Sequence, residues 1–502
     1  MRQALRILCK DFRHLWPRVA VFVFLATVYA YIEAIFPRDF KLMFAEGICG
    51  TLLLLAAWFI VVSVIHEDRV TGDRQFWLAR PYSWKSLLLA KTLFMLLFLS
   101  LPVLLAQIAA LAGAGLSPAH YLPDLLVRQF RFAVIILLPC AALAAVTANL
   151  AEFAMANLMV LAGLYALLIG LSMLLSMDAL AVGSAAPAIA TIHWAITALI
   201  ACWVCVLQYS SRATSRARWL VAGGIVLPFV FPAILPWGAA FALLARQSPA
   251  VNPAILRLSI DPGRDRHTWP GGETHWMHDD SLGVTVPIRV AGIPAGMQAY
   301  SNRSNVTVEA PGGATWRSGW NSLNRVYSVT RADVNKGQIL PGDGGPYWLY
   351  ANIDRSFFDR FSTTPIHLRA TVAFTMLGKA TTTRLSVSNR RQPLPDDGFC
   401  YLQSQNGLVQ NLCFAPLRTV SGNALRIQSL SSGAVSDDEQ VEGLSSPTSG
   451  ANIFSIWERL SPGLAYRPPP APFEISFETR QTVAHFERVL DLQGIRLEGF
   501  RK

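Results

Sequence analysis

The stretch from His267 to Asp280 holds the densest set of possible metal ligands in this chain. Histidine and carboxylate side chains can ligate zinc, but without regular structure their spacing decides little. Two alternatives stay open, a metal site and a polar exposed loop close to a membrane. We predict the loop and no metal. The possible ligands are His267, Glu273, His275, His278, Asp279 and Asp280.

Motifs for catalysis are incomplete elsewhere. His66-Glu67 could begin an H-E-x-x-H zinc motif, but Val70 stands where the second histidine is needed. Cys202 and Cys205 form a C-x-x-C inside an apolar run with no further ligands nearby, which favours small-residue packing. The chain has neither a G-x-x-x-x-G-K-[ST] nor a G-x-S-x-G pattern, so it cannot bind ATP in the P-loop manner. We predict no catalytic residue, no cofactor and no enzymatic activity.

Cys400 and Cys413 are the two cysteines of the second half of the chain. Between them Asn406-Gly407 is a strong signal for a two-residue hairpin turn. If these two residues form the turn, the cysteines face each other at a non-hydrogen-bonded pair, with Cα atoms about 4.5 Å apart. That separation lies near the short end of disulfide geometry. We predict a disulfide, the alternative being two coincidental thiols.

The first half of the chain consists largely of long apolar segments. The chain is 53% hydrophobic and 15% charged, whereas soluble domains are usually about a quarter charged. The net charge of +11 does not indicate nucleic acid, because the basic residues cluster beside apolar runs, as membrane topology signals do. Seven runs approach spanning length, and the fourth or sixth could be re-entrant. They are about Val19–Ile35, Ile48–Ile65, Thr92–Ala112, Phe132–Val146, Phe153–Leu175, Ala186–Leu207 and Leu220–Leu244.

Lysine and arginine predict the orientation of these runs. With the N-terminus inside, the inner segments carry 13 such residues. The short outer loops carry 4, namely Arg38, Lys41, Arg128 and Arg131. A signal peptide ending near Ala30 is the alternative for the first run, but Glu33 follows directly and the charged region before it is long. Seven spans would place everything after about Arg246 outside the cytoplasm.

The second half of the chain, residues 247–502, has the pattern of a β-sandwich domain. Short alternating stretches such as "NVTVEA", "TTTRLSVSN" and "FEISFE" are separated by turn residues. About 250 residues can form one large sandwich or two smaller ones. We therefore predict a multi-pass α-helical membrane bundle in residues 1–246, followed by a mainly-β, sandwich-like extracytoplasmic domain.

Ionisable residues are few within the apolar runs. Glu33 and His193 lie inside them, and Glu152 lies near an end. Such residues are functional candidates by default. A proton- or sodium-driven carrier would need more of them, so ion coupling is not favoured.

The segment between the second and third runs is "HEDRVTGDRQFWLARPYSWKSLLLAK", from His66 to Lys91. Asp73 can begin a short helix over residues 73–80, Pro81 ends it, and Ser83 can cap the third span. Arginines and aromatic residues of this kind sit at a membrane interface. The pattern predicts an amphipathic helix at the cytoplasmic membrane face, the alternative being an ordinary charged loop. The aromatic residues are Phe76, Trp77, Tyr82 and Trp84.

This segment resembles the one between the second and third spans of type-2 ABC transporter permeases. In that family an acid, a glycine, a short helix, a proline and a lysine recur in this order, here Glu67, Gly72, Phe76–Arg80, Pro81 and Lys91. The basic stretch before the first run resembles the amphipathic N-terminal helix of the family. The resemblance covers roughly residues 1–210. Family permeases usually have six spans and both termini inside, so the seventh run and the β half depart from the pattern and the family's substrates are uninformative here.

The resemblance implies a transport subunit of an ATP-driven exporter in the cell's inner membrane. Its partners would be a separate ATPase subunit, a second permease in a homo- or heterodimer, and the lipid bilayer, but no nucleic acid. The alternative is a non-transporting envelope protein that anchors a β-sandwich for binding or signalling. The expected ATPase-docking residues are Glu67, Gly72, Arg74, Phe76, Trp77, Arg80 and Pro81.

Overall fold

The structure is a computed structural model of the chain. It describes residues 1–35, 40–68, 71, 83–174, 186–234, 237–247, 256–261, 281–321, 324–328, 339–340, 347–394, 397–405, 408–417, 422–429, 435–440, 454–459, 465–466 and 473–500.

Helices make up the described part of the first half. Two of them, α3 and α4, contain a π-helical turn, Leu96–Ser100 and Ala133–Leu137. Each turn ends two residues before a proline, where the wider turn relieves the clash between the proline ring and the preceding backbone. The helices are α1 (Arg2–Ala34), α2 (Phe40–His66), α3 (Trp84–Gly113), α4 (Pro118–Val146), α5 (Leu150–Leu174), α6 (Ala186–Ser211), α7 (Thr214–Ile234) and α8 (Trp237–Gln247).

Five of the described helices are long and apolar enough to cross a membrane. They lie in α1, α2, α3, α4 and α6. The fourth predicted run was short because its apolar pattern begins only at Phe132. The helix itself, α4, begins at Pro118 and has 29 residues. The coarse prediction, a helical half of membrane-protein type followed by a β half, is confirmed.

Two predicted features of the helical half differ in the structure. The N-terminal amphipathic stretch and the first span are one continuous helix, α1, with Pro17 inside it. The seventh run, Leu220–Leu244, covers parts of two described helices, α7 and α8, with residues 235 and 236 outside the described part. In α8, Trp237 and Phe241 pack against the β half.

Antiparallel strands dominate the described part of the second half, with one short helix, α9 (Arg355–Phe361). The strands are β1 (Arg257–Ile260), β2 (Ser281–Ala291), β3 (Gln298–Glu309), β4 (Thr315–Asn321), β5 (Arg325–Ser328), β6 (Ile339–Leu340), β7 (Tyr347–Asp354), β8 (Ile366–Leu377), β9 (Thr381–Leu385), β10 (Ser388–Pro393), β11 (Phe399–Gln405), β12 (Leu408–Pro416), β13 (Gly422–Ser429), β14 (Val435–Gln440), β15 (Trp457–Arg459), β16 (Ala465–Tyr466), β17 (Phe473–Arg480) and β18 (Thr482–Ile495).

These strands form two sandwich-like modules, one inserted into the other. In the outer module, sheet β1-β2-β7-β5 packs on sheet β18-β8-β3-β4 through one apolar core. In the inserted module, sheet β14-β13-β17-β9 packs on sheet β10-β11-β12-β15 through a second core. The inserted module runs from β9 to β17, between two neighbouring strands of the outer module, β8 and β18. The sequence left one or two sandwiches open, and the structure has two.

The hairpin of β11 and β12 has the register that the sequence predicts. Cys400 faces Cys413, and Gln405 faces Leu408 at the turn, whose two residues lie outside the described part. The structure joins the two cysteines in a disulfide, with Cα atoms 4.1 Å apart. Both cysteines belong to the buried core of the inserted module, so the bond closes a hairpin within that core.

Candidate functional site

The ends of α1, α2 and α3 bring four ionisable side chains together. We call Lys10, Asp11, Asp68 and Lys91 the charge cluster, and the end of the helical bundle that carries it the charged end. Lys10 and Asp11 lie near the start of α1, Asp68 just after α2, and Lys91 in the second turn of α3. The Ser83 hydroxyl accepts a hydrogen bond from the Ser86 N–H at 3.2 Å, so the predicted cap of the third span is confirmed.

Lys91 is the centre of the charge cluster. Its Nζ donates to Asp11 Oδ2 at 2.7 Å and to an oxygen of Asp68. Lys10 Nζ lies 3.0 Å from Asp68 Oδ1 and 3.3 Å from Asp11 Oδ1. The side chains of Lys91, Asp11 and Asp68 are 1%, 0% and 2% exposed, whereas that of Lys10 is 44% exposed. Three of these four charged groups are therefore paired where water is almost excluded.

The pairing controls the ionisation of Asp68. Burial by itself raises the pKa of this carboxyl, but Lys91 and Lys10 act in the opposite direction and hold the pKa below its ordinary value. A buried charge is tolerated only when it is paired and hydrogen-bonded, and loss of one partner typically costs about 3–5 kcal/mol. The charge cluster therefore fixes the relative positions of three helix ends.

Further contacts hold the chain on both sides of the predicted docking segment. The His66 ring nitrogen Nε2 lies 3.0 Å from Ala144 O and 3.2 Å from Thr147 Oγ1. Thr71 Oγ1 donates to Thr147 O at 3.1 Å. Since Ser83 begins α3, the segment 72–82 connects two points that are both fixed to the bundle.

Among the predicted docking residues, the structure describes Glu67 alone. Its carboxylate lies 3.6 Å from His14 Nε2, at the edge of a groove that α1 lines with Arg6 and Arg13. The helix expected over residues 73–80 lies outside the described residues, as do the other six members. These are Gly72, Arg74, Phe76, Trp77, Arg80 and Pro81.

Sequence reasoning missed most of the charge cluster. The resemblance singled out Lys91, but Asp11 and Asp68 received no role. An available signal was that both acids lie at the ends of apolar runs, where a lysine of a third run can reach them. Without the fold, however, no spacing rule joins Asp11 to a residue 80 positions away.

The opposite end of the bundle, which we call the domain end, contacts the inserted module. We call Phe454–Trp457 the anchor segment. Ser455 Oγ donates to Glu33 Oε1 at 3.0 Å, and the Ile456 N–H donates to Glu33 Oε2 at 3.0 Å. Trp457 Nε1 donates to the Glu33 backbone oxygen at 3.0 Å. Glu33, singled out as a functional candidate because it is ionisable, therefore binds a neighbouring module.

Apolar and amide contacts complete this attachment. The Phe454 ring lies 6.1 Å from the Tyr29 ring and 5.3 Å from the Phe132 ring. The backbone oxygen of Phe454 accepts from Gln107 Nε2 at 3.0 Å. Gln107 Oε1 in turn accepts from Gln129 Nε2 at 2.9 Å. The side chains of α1, α3 and α4 thus surround one phenylalanine of the β half.

The remaining candidates lie partly inside and partly outside the described residues. In the described part of the chain, no three histidine, cysteine or acidic side chains are grouped so that they could hold a metal ion. The ligand-rich stretch from His267 to Asp280 lies outside that part. Glu152 pairs with Arg218 and accepts from the Ala148 N–H at 2.7 Å, so it holds the ends of α4, α5 and α7 together.

Comparison of the chain with family models, with curated proteins and with solved structures gave no match. Three features of the chain itself therefore indicate its function, namely the segment 72–82, the charge cluster and the placement of the β modules.

Proposed function

We propose that the chain is the membrane permease subunit of an ATP-driven, ABC-type exporter, with a separate ATPase subunit that docks at the charged end. The observation that carries the proposal is the charge cluster, which ties the ends of α1, α2 and α3 together directly beside the segment 72–82. The chain has no nucleotide-binding motif of its own, so energy from ATP must enter through a partner. A segment that is fixed at both ends to helices joined by buried ion pairs can transmit a displacement of the ATPase to those helices.

The placement of the β modules supports an orientation in which the charged end and the β half lie on opposite sides of the membrane. Asp11 in the charge cluster and Glu33 at the domain end are 22 residues apart on α1. At 1.5 Å per residue this corresponds to roughly 33 Å, close to the thickness of a bilayer's hydrocarbon core, about 30 Å. Of the 18 lysines and arginines in residues 1–246, 13 fall in the segments assigned to the charged end, which favours a cytoplasmic location. In this proposal the β half faces the other side and receives or hands on the substrate.

Seven spans fit this orientation. Five candidate spans are described, and α5 and α7 contain 25 and 21 residues, which is enough to cross a bilayer at about 20 residues per span. An odd number of spans is required if the N-terminus lies inside and the β half outside. We propose that α8 is the connection between the seventh span and the outer module, and that a second permease copy completes the transporter.

Copurification with a matched control tests the docking role. Phe76→Ala/Trp77→Ala removes two aromatic side chains of the predicted docking segment. Phe130→Ala/Trp219→Ala removes the same two residue types from sites that are 69% and 78% exposed on α4 and α7. We expect the wild type and the control to retain a P-loop ATPase and stimulated ATP hydrolysis in mild detergent, and the Phe76/Trp77 variant to lose both while still inserting into membranes.

Two results would count against the proposal. If the Phe76/Trp77 variant retains the ATPase at the wild-type ratio with the same ATP hydrolysis, the docking role is wrong. If the wild-type protein retains no ATPase, the alternative of a membrane-anchored envelope protein that displays β-sandwiches is favoured.

A further inference from the structure

A cavity of about 190 Å³ lies among five helices of the bundle, α2, α4, α5, α6 and α7. Most of its lining is aliphatic, with Trp58 on one side and Pro139 and Cys140 on another. Two polar side chains, Asn157 and Thr197, are the exceptions among the lining residues. A concave, mostly apolar site with a few polar groups is the usual composition of a small-molecule site.

Thr197 differs in its hydrogen bonding from three other threonines of the bundle. Serine and threonine within a helix often donate to the carbonyl four residues earlier. Thr27, Thr51 and Thr92 all do so here, at 2.9, 2.8 and 3.0 Å. The buried hydroxyl of Thr197 has no hydrogen-bond partner among the described residues. A buried hydroxyl left unpaired costs free energy, so this position favours a bound group that hydrogen-bonds to it.

Water is a poor candidate for that group. A buried water needs two to four polar partners, whereas an apolar cavity of about 150 Å³ stays dry and binds a molecule such as benzene. This cavity is somewhat larger, and two polar side chains line it. Asn157 donates one Nδ2 hydrogen to Phe153 O at 3.0 Å, which leaves its second N–H and its Oδ1 for an occupant. An occupant with an apolar body and one hydroxyl matches the lining better than a cluster of waters.

The cavity also lies at a depth where apolar molecules partition. Thr197 is 14 residues from the end of α6 at Ser211, and Asn157 is seven residues from the start of α5 at Leu150. At 1.5 Å per residue these positions lie roughly 10–20 Å from those helix ends. The start of α5 belongs to the charged end, because Glu152 pairs there with Arg218. The site is therefore inside the apolar zone and within reach of molecules dissolved in the membrane.

From these observations we infer that the cavity binds a small neutral alcohol, with an apolar body in the aliphatic part and a hydroxyl on Thr197 Oγ1. A hydroxyl both donates and accepts, as Thr197 does. The site belongs to this chain alone, so it requires neither an ATPase nor a second permease. Its occupancy is consequently independent of the proposed transport function.

Photolabelling of the purified full-length chain with a diazirine-bearing octanol tests the inference. We expect saturable labelling of peptides that contain Asn157 and Thr197, and competition by octanol but not by octane. Thr197→Val keeps the shape and removes the hydroxyl, so it should weaken octanol binding about threefold to tenfold, the value of one hydrogen bond. Its control is Thr27→Val, which removes a hydroxyl that is back-bonded on α1.

A second variant fills the cavity. Ala201 lines it and is 5% exposed, whereas Leu199 on the same helix is 70% exposed. Ala201→Phe should abolish saturable labelling, and Leu199→Phe should leave it unchanged. If the Ala201 variant does not fold, the Thr197→Val comparison still decides the matter. Labelling that does not saturate, or that survives both variants, would overturn the site, and equal competition by octane would overturn the role of the hydroxyl.

Discussion

Lys91 illustrates how much a single buried charge controls at the residue scale. Its ammonium group is held by Asp11 and Asp68 with 1% of the side chain exposed. Lys91→Met would leave the two buried carboxylates without the ammonium group that both contact. We expect the free energy of unfolding to fall by about 3–5 kcal/mol, measured as a lower midpoint of thermal unfolding in detergent. Lys85→Met, on the exposed face of the same helix, should change stability by no more than about 0.5 kcal/mol.

The same cluster predicts a pH dependence with a definite sign. The pKa of Asp68 is lowered in the folded state, so its pairing stabilises the protein above the ordinary carboxyl pKa, about 3.9. That stability is lost as the pH falls through the lowered pKa. Asp68→Asn should therefore reduce the acid-induced part of the destabilisation relative to the wild type.

The double variant Lys91→Met/Asp68→Asn should recover much of the stability that Lys91→Met loses, because neutral replacements of a buried pair are often tolerated. Equal losses for Lys91→Met and Lys85→Met would contradict the buried pairing.

Local chemistry explains which residue-scale features could be predicted from the sequence. The Ser83 cap and the register of the Cys400–Cys413 hairpin depend on a few consecutive residues, and both agree with the structure. Asp11, which accepts from Lys91, lies 80 positions away from it, and Ser455, which donates to Glu33, lies more than 400 positions away. No periodicity or motif encodes such pairs, since they depend on how whole elements pack.

At the scale of elements, the anchor segment is the part of the β half that enters the bundle. It presents a hydroxyl and a backbone N–H to the two carboxylate oxygens of Glu33. Both oxygens act as acceptors, and a neutral glutamine offers an acceptor at only one of these positions. If that acceptor faces the Ile456 N–H, the glutamine amide faces the Ser455 hydroxyl, which must then turn from donor to acceptor. This difference makes the contribution of the carboxylate measurable without removing the side chain's volume.

Glu33→Gln should therefore loosen the anchor segment. Loss of one hydrogen bond typically costs about 0.5–1.5 kcal/mol, so the amide of Ile456 should exchange with solvent about threefold to tenfold faster. Hydrogen exchange followed by mass spectrometry of the full-length protein measures this. Glu152→Gln, which alters an ion-paired glutamate at the charged end, should leave exchange in the anchor segment unchanged. Unchanged exchange in the Glu33 variant would show that the Glu33 carboxylate does not hold the anchor segment.

Element boundaries followed the sequence less closely than element types. The run Phe132–Val146 lacked a visible beginning because polar residues such as Gln129 and Arg131 belong to α4, where Gln129 is buried against Gln107. The run Leu220–Leu244 lacked a visible end because α8 is as apolar as a span. Its Trp237 and Phe241 are nevertheless buried against the outer module. Hydropathy measures removal from water and does not distinguish lipid from a packed sheet.

At the scale of the whole molecule, both modules of the β half contact the helices. α8 packs Trp237 and Phe241 on the outer module, whose Trp320 and His485 lie 4.8 Å and 5.8 Å from them. The anchor segment joins the inserted module to α1, α3 and α4 at the domain end. Packed elements move as rigid bodies, so a displacement of α1 at the charged end would reach the anchor segment at its other end. Docking of an ATPase at the charged end would in this way be transmitted to the β half at the domain end.

That arrangement makes a prediction about topology. The charge cluster and the anchor segment lie at opposite ends of α1, and the β half follows α8. If α1 to α7 all cross the bilayer with the N-terminus inside, a reporter that is active only outside the cytoplasm should be active when fused after Lys502. The same reporter fused after Ser211, at the end of the sixth helix, should be silent. A reporter that is active only in the cytoplasm should give the opposite pattern and serves as the control. Outside activity at Ser211, or outside silence at Lys502, would show that the number of crossings is not seven. The charged end and the β half would then have to be reassigned to the sides of the membrane that the reporters indicate.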